Sequence, residues 1–163
     1  MKTKMTLWGI GPKFALLSFA FTIIMMLIHY FTKPLFIIDA VPQSVISFTA
    51  ILLLITGIPF FLLSAKTISK VYAQNSLCTS GVYSTCRHPL YSSFIFFLVP
   101  GIVLFLNSWL LLTLPFVMYV IFRILIKKEE NYLKDEFGEE FIIYKKNVDL
   151  VFPMLWKLFS LKK

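Results

Sequence analysis

The sequence predicts an all-α protein, a polytopic bundle of membrane helices. Hydrophobic residues make up 58% of the 163 residues and charged residues only 15%, a composition unusual for a soluble domain. No Lys, Arg, Asp or Glu occurs in residues 14–32, 40–65 or 88–122. A helix needs about 20 apolar residues to cross a bilayer, so each of the first two intervals fits one span. The third interval fits two spans joined by a tight turn at Asn107-Ser108.

Four spans are therefore predicted, followed by a cytoplasmic helical segment. The spans cover about residues 14–31, 44–64, 89–106 and 109–126. Six of the eight acidic residues lie between Glu129 and Glu140, which predicts a solvated helix beyond the last span. The length is typical of one domain, so we expect residues 1–163 to form a single integral membrane domain.

The placement of Lys and Arg predicts the topology. Basic residues are frequent before the first span, in the second connection and after the fourth span, and the first connection has only Lys33. They are Lys2, Lys4 and Lys13, then Lys66, Lys70 and Arg87, then Arg123, Lys127 and Lys128. This positive-inside pattern predicts a multi-pass protein with both termini in the cytoplasm. Because it accounts for the net charge of +8, we expect membrane lipids and no nucleic acid as partners.

Polar and aromatic side chains are concentrated in residues 81–91, directly before the third span. Pro89 disfavours helix at the preceding residue and suits the first turn of a helix. His88 and Tyr91 should therefore project from the mouth of that helix. After the fourth span, helical spacing places Glu129 on an apolar stripe and turns Glu130 towards solvent.

The chemistry of these side chains suits an organic cofactor better than a metal. Cys78 and Cys86 have no second ligand pair beside them, so we expect no metal site. Aromatic rings stabilise a cation by about 0.5–2 kcal/mol, and a carboxylate accepts hydrogen bonds. The set fits a mostly apolar cofactor that carries a positive centre, although the residues alone leave its identity open.

Residues 75–153 resemble the isoprenylcysteine carboxyl methyltransferase family, part of a wider group of membrane methyltransferases that includes phospholipid N-methyltransferases. The resemblance rests on the order of several short motifs rather than on any one of them. These are Leu77–Tyr83, Arg87-His88-Pro89-Leu90-Tyr91, Glu129-Glu130, Phe137-Gly138-Glu139-Glu140 and Tyr144. It implies an enzyme that uses S-adenosyl-L-methionine without a Rossmann domain.

The resemblance also implies roles for individual residues. It implies catalytic roles for Arg87, His88 and Tyr91. Cofactor contacts fall on Asn75, Ser76, Leu77, Cys78, Tyr83, His88, Pro89, Leu90, Tyr91 and Glu129. Eukaryotic members place a substrate-binding arginine four residues before the cofactor glutamate, where this chain has Leu125. Arg123 is the nearest basic residue and the candidate substrate contact, although helical spacing turns it to nearly the opposite face.

The leading interpretation is a methyltransferase acting on a lipophilic small molecule or a lipidated substrate drawn from the bilayer. Methylation of a phospholipid amine or a lipophilic thiol is the alternative that Leu125 favours. A non-catalytic membrane protein that retains the fold is a third possibility. Helix breaks at Gly57–Pro59 and Pro100-Gly101 are candidates for a lateral entrance, with simple packing kinks as the alternative.

Overall fold

The structure, a computed structural model, describes residues 9–73 and 76–154. Within those ranges the chain is helical, and its one β-type pairing is an isolated bridge between Ile37 and Ser108. The elements in order are α1 (Gly11–Phe31), α2 (Gln43–Ala73), a 3₁₀ turn (Gly81–Ser84), α3 (Pro89–Ser93), a π-helical stretch (Phe94–Leu98), α4 (Val99–Phe105), a second 3₁₀ turn (Leu111–Thr113) and α5 (Leu114–Asn147). We call the continuous run Pro89–Phe105 the central rod.

Two helices, α1 and the Gln43–Val71 part of α2, are long and apolar enough to cross a membrane, and the central rod is a shorter apolar helix. The prediction of an all-α bundle is confirmed, whereas four spans remain a prediction. The fourth helix begins later than expected, at Leu114 instead of Trp109, and continues for 34 residues. A 3₁₀ turn at Leu111–Thr113 comes first, and Pro115, which suits the first turn of a helix, marks the start of α5.

The helices pack in two pairs. α1 packs against α5, α2 packs against the central rod, and the rod meets α5 through the π-helical stretch and α4. Large apolar side chains on the outer faces of α1 and α2 are exposed, and Phe19, Phe31 and Phe48 are examples. Such unpartnered apolar faces suit contact with lipid.

Gly57 and Gly101 bring α2 and the central rod close together, and neither helix is interrupted at these positions. A Cβ on Gly101 would lie 2.9 Å from Leu54 and 3.2 Å from the Ala50 carbonyl oxygen, and a Cβ on Gly57 would collide with Phe97. Small residues let helix backbones approach in this way. These glycines therefore let α2 and the rod pack closely along this seam, and the lateral entrance stays a prediction.

A kink at Gly138 redirects the last part of α5 towards the start of the central rod. Gly138 has φ +52°, a left-handed conformation that glycine adopts easily. The segment after α5 then runs beside the Thr85–His88 loop. There the backbone N–H groups of Arg87 and His88 donate to the carbonyl oxygens of Asp149 (2.8 Å) and Leu150 (3.1 Å). This pairing fixes the loop that carries the polar motif.

Candidate functional site

Arg87 links the Thr85–His88 loop, called the motif loop below, to the middle and the end of α5. Its Nε and Nη2 donate to Oε1 of Glu130 at 2.9 and 2.6 Å. Its Nη1 donates to the carbonyl oxygens of Val148 (2.6 Å) and Lys145 (3.1 Å), near the end of α5. The Lys145 ammonium donates to the other Glu130 oxygen at 2.7 Å. All three guanidinium nitrogens of Arg87 thus bind protein acceptors.

The prediction that Glu130 faces solvent is wrong, because only 9% of this residue is exposed. Helical phase alone does turn it away from the apolar stripe. The Gly138 kink, however, folds Lys145 back over it, and the motif loop places Arg87 beside it. Burial on its own would raise the pKa of the Glu130 carboxyl, but His88, Lys145 and Arg87 outweigh burial and lower that pKa to about 2.

Glu129, His88 and Tyr91 lie together where the central rod meets α5. The Nδ1 atom of His88 is 3.6 Å from Oε1 of Glu129. The His88 and Tyr91 rings both pack near Phe122, with ring centroids 5.8 and 5.1 Å from it. His88 is 95% buried, and its Nε2 has no hydrogen-bond partner among the described residues. Such an orphaned polar atom is uncommon inside a protein.

The start of α1 is a part of this site that sequence reasoning missed. The Ile10 backbone N–H donates to Oε2 of Glu129 at 3.2 Å, and the Phe14 ring meets Tyr91 edge to face at 5.2 Å. Gly9, with φ +47°, approaches the same carboxylate closely. Gly9, Gly11 and Pro12 do mark a helix start in the sequence. Nothing local indicates that this start lies against a residue about 120 positions later.

Cys78 and Tyr83 lie in an adjacent apolar cluster with Cys86 and Phe60. The Tyr144 hydroxyl donates to the Tyr83 carbonyl oxygen at 2.6 Å and ties this cluster to α5. Burial raises the pKa of the free thiols of Cys78 and Cys86 to about 11, so both are protonated at neutral pH. Burial is also the main cause that raises the pKa of the Tyr83 phenol, and the charge of Glu129 adds to it.

The other candidate residues occupy varied positions. Pro89 is buried at the start of α3, Leu77 and Leu90 are half-buried, and Ser76 is exposed. Asn75 lies outside the described residues. On α5, Leu125 packs against the core and Arg123 is exposed. The structure therefore gathers His88, Tyr91 and Glu129, places Cys78 and Tyr83 in the neighbouring cluster, and leaves Arg123 on the surface of α5.

This arrangement fits an organic cation with polar groups. Glu129 offers a carboxylate, since its side chain is 15% exposed and makes one direct hydrogen bond. The Phe14 and Phe122 rings each pack against Tyr91, with ring centroids 5.2 and 5.1 Å from it. Nε2 of His88 lies 3.8 Å from Oε1 of Glu130 without a hydrogen bond among the described residues, so it retains hydrogen-bonding capacity.

Comparison with known proteins confirms the family resemblance. Residues 63–135, just under half of the chain, match the model of the isoprenylcysteine carboxyl methyltransferase (ICMT) family. The chain is 34% identical over 87 residues to the protein-S-isoprenylcysteine O-methyltransferase of Saccharomyces cerevisiae, covering 53% of this chain and 36% of that protein. Identity to protein-S-isoprenylcysteine O-methyltransferase B of Arabidopsis thaliana is 33% over 82 residues, which is 50% of this chain and 42% of the relative.

A mouse relative, the protein-S-isoprenylcysteine O-methyltransferase of Mus musculus, is 33% identical over 81 residues, covering 50% of this chain and 29% of its own length. The chain thus spans less than half the length of these relatives. No solved structure matches it significantly. All three relatives are methyltransferases by name, and the region that they share with this chain makes up about half of this chain.

Proposed function

We propose that this chain, whose residues 63–135 match the isoprenylcysteine carboxyl methyltransferase family, is a membrane methyltransferase that uses S-adenosyl-L-methionine. One observation carries the proposal: Glu129 of α5 lies 3.6 Å from His88 of the motif loop. These residues belong to two separate motifs of the resemblance, about 40 positions apart. Their convergence, with Tyr91 beside them, is the arrangement expected of a single binding site.

The residues present suit this cofactor. When bound, S-adenosyl-L-methionine supplies an electrophilic methyl group on a positively charged sulfur. Glu129 accepts hydrogen bonds from its polar groups, and Tyr91 and Phe122 offer rings that favour a cation. His88 contributes its unpartnered ring nitrogen. Ser76, Leu77, Cys78, Tyr83, Pro89 and Leu90, together with Asn75, are proposed as the remaining wall of the pocket.

Catalysis in this proposal depends on alignment and on exclusion of water. A nucleophile that displaces a sulfonium needs an in-line approach more than a strong acid or base. Phe14, Tyr91 and Phe122 form an apolar surround that keeps water away. Arg87 acts through Glu130, because its guanidinium is bound to protein acceptors. We therefore propose His88 and Tyr91 as cofactor-facing groups and Arg87 as the residue that positions them.

We further propose that the protein crosses the membrane several times, with both termini in the cytoplasm. Two helices are long and apolar enough to span, and the basic residues alternate between connections. In that topology the 76–88 loop and the segment after residue 127 lie on the same side. A lipophilic or lipidated acceptor then reaches the site from the plane of the membrane.

The relatives' names point to the carboxylate of an isoprenylcysteine as the first candidate acceptor. A phospholipid amine or a lipophilic thiol is the second candidate, for a specific reason. A carboxylate acceptor is best held by the fixed fork of an arginine. At the corresponding position Leu125 packs against the core, and Arg123 is exposed. In α5, an apolar side chain thus stands at the position where the family resemblance predicts a cationic one.

A methyl-transfer screen tests the proposal. Detergent-solubilised protein is incubated with cofactor labelled in the methyl group and with prenylcysteine, phospholipid, quinone and thiol acceptors. The proposal predicts label in at least one lipophilic acceptor, and loss of that label in Glu129→Gln. Cofactor binding without transfer to any acceptor class would instead indicate a non-catalytic protein that retains the fold.

A further inference from the structure

The carboxylate of Glu129 is held from two sides. Its Oε2 accepts the Ile10 N–H at 3.2 Å, and its Oε1 lies 3.6 Å from Nδ1 of His88. Ile10 is the residue that precedes α1, where backbone N–H groups lack helical partners. The N-terminal end of a helix also carries a partial positive charge that favours an anion. The start of α1 therefore holds Oε2 and leaves Oε1 beside Nδ1 of His88.

We propose that the Gly9–Ile10 turn is a positioning element of the cofactor site, which orients the carboxylate of Glu129 for the cofactor. This inference rests on the function proposed above. It assigns a role to residues outside the region that matches the family, since that match begins at residue 63. The turn acts through Glu129 and does not itself contact the reacting atoms.

Gly9 is required in this turn for two reasons. Its φ of +47° lies in the left-handed region, which residues with a Cβ rarely adopt. A Cβ at this position would also collide with the Glu129 carboxylate, whose Cδ would be 3.0 Å away. The carboxylate is the free end of a flexible side chain, so it can move aside while the fold is kept. Gly9→Ala should thus displace Glu129 without preventing folding.

Ile10 itself anchors the turn in the core. Only 7% of Ile10 is exposed, and it packs in one buried cluster with residues of α1, the central rod and α5. The cluster consists of Ile10, Phe14, Ile95, Met118, Phe122, Ile126 and Val151. Because Phe122 also contacts His88 and Tyr91, the same cluster supports both the turn and the proposed cofactor-facing rings.

A calorimetric titration tests the inference. Gly9→Ala is compared with Glu136→Gln, a substitution of an exposed residue on α5. We expect Gly9→Ala to weaken binding of S-adenosyl-L-methionine by about tenfold or more, the cost of a misplaced charge-assisted hydrogen bond. Glu136→Gln should stay within about twofold of the unchanged chain, and unliganded Gly9→Ala should still unfold cooperatively.

A double-mutant cycle identifies the group through which the turn acts. In a Glu129→Gln background, Gly9→Ala should change the dissociation constant by no more than about twofold, because the contact that it disturbs is already lost. Equal affinity of Gly9→Ala and Glu136→Gln, tighter binding by Gly9→Ala, or full additivity with Glu129→Gln would each overturn the inference alone. Failure of the unchanged chain to bind the cofactor would overturn the proposed function as well.

Discussion

Arg87 and Glu130 form a buried ion pair in which Nε and Nη2 of Arg87 share one carboxylate oxygen, at 2.9 and 2.6 Å. The side chains are only 9% and 11% exposed. The pair joins the loop before the central rod to the middle of α5. His88 follows Arg87 and Glu129 precedes Glu130, so this pair sets the spacing of the two residues proposed to face the cofactor.

Glu130→Gln should destabilise the fold more than it weakens cofactor binding. Removing one partner of a buried ion pair leaves the other charge uncompensated, at a cost on the order of 3 kcal/mol. The exposed Glu136 lies on the same helix and supplies the control, because surface substitutions usually change stability by less than about 0.5 kcal/mol. Denaturant unfolding in detergent measures both variants. Equal stability of Glu130→Gln and Glu136→Gln would contradict the structural role of the pair.

Acid should remove the contribution of Glu130. Its folded-state pKa is lowered to about 2, so its stabilisation is complete above the ordinary carboxyl pKa and is lost as the pH falls towards about 2. The stability difference between the unchanged chain and Glu130→Gln should therefore narrow between about pH 5 and about pH 2. Thermal unfolding across this range measures the difference. A gap that stays constant would mean that Glu130 does not titrate there.

The proposed topology places Ser76 and Asp135 on the same side of the membrane and Leu35 on the other. All three residues are exposed in the structure. Single cysteines at these positions, on a background with Cys78→Ala and Cys86→Ala, can be labelled with an impermeant thiol reagent in sealed vesicles. We expect Ser76→Cys and Asp135→Cys to react from the same side and Leu35→Cys from the opposite side. Opposite accessibility of Ser76→Cys and Asp135→Cys would contradict the topology.

Acceptor preference should depend on position 125. Because Leu125 is apolar and Arg123 is exposed on α5, we expect a free prenylcysteine carboxylate to be a poorer acceptor than neutral lipophilic molecules. Leu125→Arg should raise the initial rate with the carboxylate relative to a neutral acceptor, because arginine pairs well with carboxylates. Rates are measured at saturating cofactor. Fast carboxylate turnover by the unchanged chain, lost in Arg123→Ala, would show that Arg123 binds the acceptor.

Local sequence features predict the helices well, and tertiary contacts explain where the structure differs from those predictions. Uncharged intervals located the helical regions, and the turn at Asn107 is present, with φ +50°. Helical phase located Glu129 correctly but misjudged Glu130, because phase carries no information about a chain that folds back at Gly138. The link from Ile10 to Glu129 joins residues 119 positions apart. Such a contact depends on how α1 and α5 pack, which no local pattern encodes.

A single titration measures whether Glu129 belongs to a cofactor site. S-adenosyl-L-methionine is titrated by calorimetry into the detergent-solubilised chain, into Glu129→Gln and into the exposed control Glu136→Gln. We expect saturable binding by the unchanged chain and by Glu136→Gln, and an affinity about ten- to a hundredfold lower for Glu129→Gln. Absence of binding by the unchanged chain, or equal affinity of all three proteins, would contradict it.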